Sequence, residues 1–401
     1  MKVTAAQQGE VTTDTDNRRT LIILAVGNFI VGIAAFVVLG LMTTLSKSLG
    51  VDQASMGRII TDYAIAYAIG SPLAIAATGR LPRRVVVSLG MLLVGIGAVA
   101  SAFATSLHAM ELARIIGAFG GGLYGPATAA IAVSTAAPER RATALSIVFM
   151  GFTAAQGIGT PAGTWLGYTF GWQTSFLIIG LLALAMTAIL WRTVPAAIAF
   201  TPTSLSELGR VIRNGPILMV LLFTVAFVGA TYTTLTFITP ILEQRLGVGR
   251  DGVSTYMMIY GSMAFIAAVF GGMVADRIGN SRALLVLCAM HAVLLPMVTQ
   301  GPSHPIAVAL VLGGFSLFGW AHFTMQQSRL VAIAPQEAQL VIALNSSMLY
   351  VGIALGSALA AQLLPIPSYQ GLALGSFVLV TSAALILVLG DRWIAARRTR
   401  S

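Results

Sequence analysis

Two carboxylates, Asp62 and Glu111, stand inside long apolar runs of a 401-residue chain in which only 9% of residues are charged. A carboxyl held in low-dielectric surroundings can bind and release a proton near the working pH, which is what a proton-coupled machine needs. Each acid has a basic residue within helical reach: Arg58 lies four places before Asp62, and Arg114 three places after Glu111. The same spacings also suit static ion pairs on one helix face. Asp62 therefore either titrates or is held ionised by Arg58. Arg114 either steadies a proton site or meets a substrate, or it pairs with Glu111 and snorkels outward. His322, in "FGWAHFTMQQSRL", is a further candidate for titration, with hydrogen-bonded packing as its alternative. His108, His291 and His304 read as structural or interfacial.

A second kind of cluster occurs twice. "GGMVADRIGNSR" (271–282) brings Asp276, Arg277 and Arg282 between two apolar runs, and "TGRLPRR" (78–84) does the same with Arg80, Arg83 and Arg84. Arg277 follows Arg80 by 197 residues (277 − 80), about half the chain. A repeat at that period points to duplication.

The elements that carry these residues are membrane spans. The chain is 57% hydrophobic, with a mean hydropathy of +0.88; soluble domains run at about 45–50% apolar. That much apolar surface cannot be hidden from water. A bilayer core takes roughly 20 apolar residues per helix, and that ruler gives spans near 21–46, 55–78, 85–105, 109–133, 143–167 and 173–193, then 215–240, 254–275, 283–300, 305–326, 339–363 and 371–390. The expected fold is all-α and integral to the membrane, with twelve helices in two six-helix bundles. Glycine, at 42 residues, suits close helix approach.

Charge sets the orientation. With the N-terminus in the cytoplasm, the 23 basic residues all fall on the cytoplasmic side except Lys47, Arg58, Arg114, Arg245 and Arg250. The net charge of +10 thus reports topology, and no nucleic-acid partner is expected. Residues 1–19 read as a disordered cytoplasmic tail without a signal peptide, 20–193 as the first bundle, 215–391 as the second and 392–401 as a basic cytoplasmic tail. Between the bundles, 194–214 carries an S-x-x-E capping box at Ser204 and Glu207, then Leu205, Leu208 and Ile212 at helical spacing. It reads as a short amphipathic helix on the cytoplasmic surface, with a disordered linker as the alternative. Cys288, the single cysteine, supports neither a disulfide framework nor a metal site.

These residues resemble the major facilitator superfamily over nearly all of 20–390, and within it the twelve-helix drug:proton antiporters of the arabinose efflux permease-like branch. Gly272, Asp276, Arg277 and Gly279 match the family's cytoplasmic loop motif, with Arg282 one place late; Arg80, Arg83 and Arg84 match its first-half copy, where Gly79 stands for Asp and Pro82 for Gly. Arg114 and "RIIGAFGGG" resemble the second motif. Gly159, Pro161 and Gly163 of "GIGTPAGTWLGYTFGW", with Gly167, resemble the antiporter motif. Ala35 stands where many members carry an acid in the first helix.

The resemblance implies a carrier that rocks two bundles about a mid-membrane site, powered by the proton gradient, with no cofactor. Asp62, Arg114 and His322 are then the proton-coupling candidates, Asp62 replacing the missing first-helix acid. The loop residues Arg80, Arg83, Arg84, Gly272, Asp276, Arg277, Gly279 and Arg282 form a conformational clamp in which Asp276 pairs with Arg277 or Arg282, or else they merely set topology. Gly159, Pro161 and Gly163 make a kinked, smooth fifth helix suited to rocking. Gly352 and Gly356 form a packing GxxxG pair. Asn28, Tyr124, Gln156, Tyr232, Trp320, Gln326 and Asn345 are polar or amphipathic residues on helices that line the family's cavity, with packing as the alternative for each.

The expected activity is export of a small, neutral or weakly charged amphipathic solute by proton antiport, from a monomer in a bacterial cytoplasmic membrane with both termini inside. A proton-independent facilitator or uptake carrier, and a non-transporting sensor or scaffold, are the alternatives. The chain has no phosphate-binding G-x-x-x-x-G-K-[ST] loop for a nucleotide-driven pump, and no nucleophile–base spacing for an enzyme.

Overall fold

The computed structural model describes residues 14–78, 81–137, 140–195 and 205–398. Helices account for nearly all of them, and no strand occurs among the described residues. Helices α1 (Asp14–Leu49), α2 (Gln53–Thr78), α3 (Arg83–Ala102) and α4 (Leu107–Thr135) are followed by a fifth rod. That rod is built from α5 (Arg141–Ala154), a π-helical turn (Ala155–Gly159) and α6 (Thr160–Phe170). α7 (Trp172–Thr193) completes the first bundle.

The short α8 (Leu205–Ile212) leads into a rod made of α9 (Gly215–Leu235) and α10 (Ile238–Leu246). α11 (Arg250–Ile278), α12 (Asn280–Gln300), α13 (Pro305–Ile333), α14 (Ala338–Leu363) and α15 (Gln370–Arg398) complete the second. Among the described residues ten rods are long and apolar enough to cross a membrane, and the bent α11 makes an eleventh. The remaining rod is α2, 26 residues long, which carries Arg58, Asp62, Tyr63 and Tyr67.

The bundles repeat one another in their neighbours. α1 packs on α5, α2 on α4 and α3 on α7; α9 packs on α14, α11 on α13 and α12 on α15. The bundles meet through α2 against α14 and, in the mirrored position, α11 against the π turn and α6. Large apolar side chains such as Phe103, Leu310 and Leu385 remain exposed on the outside, where lipid and not water is the solvent.

Without a hydrophobic force between helices in lipid, association rests on close packing and interhelical hydrogen bonds. The fifth rod supplies the packing. Gly159, Gly163 and Gly167 repeat every fourth residue and face Ile33, Val37 and Leu41 of α1, which repeat likewise; a Cβ at Gly163 would lie 2.8 Å from Val37 Cγ2. On the rod's other side Gly157 meets Gly261 of α11, where a Cβ would come within 2.5 Å of the Gly157 Cα.

Pro161 explains the π turn. It lacks an N–H and its ring would press on the carbonyl of Gly157, and one widened turn just ahead of it absorbs both defects. Gly352 and Gly356 bring α14 onto α9, a Cβ at Gly352 falling 2.8 Å from the Val225 carbonyl oxygen. α8 docks Val211, only 2% exposed, into an apolar cluster with Val220, Leu330 and Val341, so it is held by the second bundle. Ser204 lies outside the described residues.

Candidate functional site

Polar struts hold each bundle in shape. In the first, Asn28 Nδ2 donates to Thr128 Oγ1 at 3.3 Å and to the Val148 carbonyl at 3.1 Å, tying α1 to α4 and α5. In the second, Gln326 Nε2 donates to Thr224 Oγ1 at 3.0 Å and to the Val220 carbonyl at 2.5 Å, while the Thr224 hydroxyl donates to Asn345 Oδ1 at 2.7 Å. Thr224, Gln326 and Asn345 lie 196, 198 and 197 places beyond Asn28, Thr128 and Val148 (224 − 28, 326 − 128, 345 − 148). The duplication seen in the loops is thus present in the hydrogen bonding. Tyr124 is also a strut, fully buried with its hydroxyl donating to the Leu24 carbonyl at 3.2 Å. Asn28, Tyr124, Gln326 and Asn345 thus make their side-chain hydrogen bonds within one bundle.

The other three pocket candidates lie on the rods through which the bundles meet or beside them. Gln156 sits in the π turn, buried, with its Nε2 unpartnered among the described residues. Tyr232 is buried with its hydroxyl likewise unpartnered among them, and Trp320 Nε1 donates to the Tyr260 hydroxyl at 3.1 Å. Residues not singled out from sequence complete the group. Tyr67 of α2 stacks on Tyr350 of α14 across the bundle boundary, ring centroids 3.6 Å apart and planes 15° apart. Tyr63 and Tyr232 also lie near Tyr350. The only signal in the sequence is that these tyrosines fall within spans.

The charged candidates are distributed differently from either simple expectation. Arg58 does not pair with Asp62: its Nη2 stands 3.3 Å from Glu111 Oε1, and His108 Nδ1 lies 3.0 Å from Glu111 Oε2. Asp62 is half-buried and makes no ion pair or hydrogen bond among the described residues. Arg114 does not pair with Glu111 either. Its guanidinium is buried, donates to the Ala34 carbonyl and, at 3.0 Å, to the Ala35 carbonyl, and sits 4.3 Å above the Tyr63 ring. The cation therefore grips the backbone of α1 at the position of the missing acid. His322 binds the Gly319 carbonyl of its own helix through Nδ1 and faces Phe227 at 4.7 Å, with His291 at 4.7 Å from the same ring. Neither histidine meets a carboxylate among the described residues.

The loop motif gives a correction. Asp276, Arg277 and Arg282 are exposed and form no ion pair with one another among the described residues. The salt bridge at this end of the second bundle joins Arg329 of α13 to Asp391 of α15. Gly279, at φ +84°, makes the sharp turn from α11 to α12, a conformation that favours glycine. Gly272 has open space around it. In the first bundle Pro82 occupies the equivalent place with φ −55°, so the two copies turn differently. Arg84 Nε donates to the Val194 carbonyl at 2.9 Å and its guanidinium lies 5.7 Å from the Trp191 ring. Arg83 is buried, and Arg80 lies outside the described residues.

Hydrogen bonds between bundles are found at the end opposite the chain termini. Thr239 donates to the Leu39 carbonyl at 2.6 Å, Tyr168 to Glu243 Oε1 at 2.5 Å, and Arg250 Nη1 to Thr169 Oγ1 at 3.3 Å. Among the described residues no cluster of metal-ligating side chains occurs.

Known proteins share this arrangement. The chain is 26% identical to the "Uncharacterized MFS-type transporter YbcL" of Bacillus subtilis over 374 residues, covering 92% of this chain and 96% of the relative. It is 28% identical to the "Inner membrane transport protein YdhP" of Escherichia coli K12 over 341 residues, 84% and 87% of the two chains. Its fold matches that of a bacterial homologue of the human lysosomal transporter Spinster in an inward-facing, occupied conformation, with a TM-score of 0.77, 17% identity and 95% and 98% of the two chains covered. The model of the Major Facilitator Superfamily matches residues 24–357, and the chain belongs to that family of transporters.

Proposed function

We propose that this transporter exports a small, neutral or weakly charged amphipathic solute in exchange for protons, by alternating access between the bundle 20–193 and the bundle 215–391. The observation that carries the reading is the state of Asp62. Its natural partner on the same helix, Arg58, is drawn to Glu111 on the next, which leaves a half-buried carboxyl free to gain and lose a proton. Arg114 beside Tyr63 couples that helix to α1. Movement of α2 against α14 then carries the Asp62 environment from one face to the other.

Aromatic and hydroxyl groups at the bundle boundary, with few charges, support an amphipathic solute over a phosphorylated or dicarboxylic one. Bacterial relatives and the basic loops support a cytoplasmic membrane with both termini inside. The clamp of Asp276 with Arg277 or Arg282 belongs to another state of the transport cycle. His322 serves as a packing residue of the second bundle.

The test is transport by the reconstituted monomer in liposomes under an imposed pH gradient, screening solutes with an internal pH dye. Asp62→Asn is expected to abolish gradient-driven flux while solute counterflow persists. Full gradient-driven flux in that variant would overturn the proton role and leave a proton-independent facilitator of the same fold.

A further inference from the structure

The ion pair of Glu111 has a third member that the proton scheme above leaves unused. His108, its side chain 81% exposed at the start of α4, holds Nδ1 3.0 Å from Glu111 Oε2, while Arg58 Nη2 stands 3.3 Å from Glu111 Oε1. Glu111 and Arg58 both lie near Asp62. Two acids, one fixed cation and one imidazole thus gather where α2 packs on α4. The charges on the surrounding elements are turned elsewhere. α3 and α5 also pack on α4, but Arg83 and Arg84 stand at the first two positions of α3 and Arg141 at the first of α5, at the end of α4 away from His108. Lys47 of α1 lines a separate cavity with Tyr168 and Glu243. Arg114, further along α4, is spent on the Ala34 and Ala35 carbonyls and lies over Tyr63. Asp52 binds Ser55 beside it, and α14, packed on α2, carries no charged residue.

Counting charge decides how this cluster titrates. Arg58 and Glu111 cancel. With His108 neutral and Asp62 ionised, the four groups carry a net negative charge; with both protonated, they carry a net positive one. The two neutral arrangements hold a single proton, either on the His108 imidazole or on the Asp62 carboxyl. Apolar surroundings favour the neutral arrangements over the charged ones, and groups coupled in this way titrate as a pair. Imidazole is the side chain whose charge ordinarily changes between about pH 5 and pH 8.

We propose that His108 and Asp62 hold one proton between them, and that His108, the exposed end of the pair, is where the exchanged proton enters from the side opposite the termini. The transfer breaks an N–H bond of the imidazolium and forms the O–H bond of the Asp62 carboxylic acid, with water carrying the proton between them. The cluster is neutral before and after the step. Arg58 and Glu111 keep their places throughout, so no ion pair has to break. Asp62 as the proton carrier of the proposed exchange is the premise, and His108 is the group that sets the pH at which it loads.

The experiment reads the His108 imidazole by nitrogen-15 NMR in the full chain purified in detergent, labelled at histidine and titrated from about pH 5 to pH 8. His108→Gln identifies its signal among the four histidines. Asp62→Asn, which keeps the size and removes the anion, is expected to lower the titration midpoint of His108 by about one pH unit. Asp62→Glu, which restores the anion, is expected to titrate as the wild type does, and so separates charge from packing. Asp276→Asn, exposed on the second bundle, is expected to change nothing. An unmoved midpoint in Asp62→Asn, or the same displacement in Asp62→Glu or Asp276→Asn, would overturn the shared proton. No solute is present in the titration, so its outcome is independent of the flux assay on Asp62→Asn, which decides whether that proton is the one exchanged for solute.

Discussion

Arg58 of α2 reaches across to Glu111 of α4, 3.3 Å away, and by doing so leaves Asp62, one turn along its own helix, without an ion pair. Glu111 is the deeper of the two acids, 6% exposed, and already accepts His108 on its other oxygen. A buried carboxylate needs a counter-charge more than a half-buried one. The competition for Arg58 is settled by burial, and helix spacing has no vote in it.

Glu111→Gln should release Arg58 to Asp62, four residues along the same face. The freed arginine then holds Asp62 ionised, and gradient-driven transport should fall about tenfold. Removing the arginine as well, in Arg58→Ala with Glu111→Gln, should restore part of the flux. Proteoliposome assays of the two variants side by side check this; equal loss in both would contradict it.

Arg114→Lys should fail to replace the wild type. The guanidinium bridges two successive carbonyls of α1 while lying over Tyr63, a flat fork that a single ammonium cannot imitate. Transport is expected to drop at least tenfold with correct membrane insertion, measured by flux and by yield from detergent extraction.

The strut of Thr224, Gln326 and Asn345 should behave as one unit. Asn345→Ala leaves the buried Thr224 hydroxyl without its acceptor and should cost about 1–3 kcal/mol. The pair Thr224→Val with Asn345→Leu should cost less than the sum of the single changes. Thermal unfolding in detergent reads both.

Gly261→Val should separate the bundles where α11 crosses the π turn, because even one added carbon lies within 2.5 Å of the Gly157 Cα. A loss of about 1–3 kcal/mol in stability is expected from overpacking, with transport lost before folding. Gly272→Ala, where the space is open, should be neutral in both assays.

Asp52 caps α2 from the loop before it, Oδ1 accepting the Ser55 N–H at 2.7 Å and Oδ2 the Ser55 hydroxyl at 3.1 Å. Those hydrogen bonds hold its carboxyl below the usual carboxylate range. A depressed folded-state pKa contributes stability above the unfolded value near 3.9, and that contribution is lost as pH falls through the folded value. Asp52→Ala should cost about 0.5–2 kcal/mol at neutral pH, and the gap from wild type should close on acidification, measured by thermal melts between pH 7 and about pH 3.

The chain's apolar periodicity and loop charges were enough to read an all-helical membrane fold, its span pattern and its half-chain repeat. These rest on local facts: the length of an apolar run against the thickness of a bilayer, and the placement of arginines in short turns. The repeat at 197 residues even locates the two polar struts, once the first is known. The π turn ahead of Pro161 was legible only as a kink, because either a bend or a widened turn can relieve the missing N–H and the ring clash of proline.

Partners were another matter. Spacing along one helix offered Arg58 to Asp62 and Arg114 to Glu111, and neither pair forms. Each arginine found its partner on a different helix, where the depth of Glu111 and the carbonyls of Ala34 and Ala35 outweighed the i±3 and i±4 neighbours. Of the seven residues named for the solute path, four make hydrogen bonds within one bundle, and the Tyr67–Tyr350 stack between bundles is not among the seven.

The sequence by itself determined that this protein lives in a bilayer as a duplicated set of helices, because hydropathy and charge act residue by residue. Only the tertiary structure decided which carboxyl is left free and which aromatics meet, because those depend on distances between residues on different helices, 53 positions apart for Arg58 and Glu111 (111 − 58) and 283 for Tyr67 and Tyr350 (350 − 67).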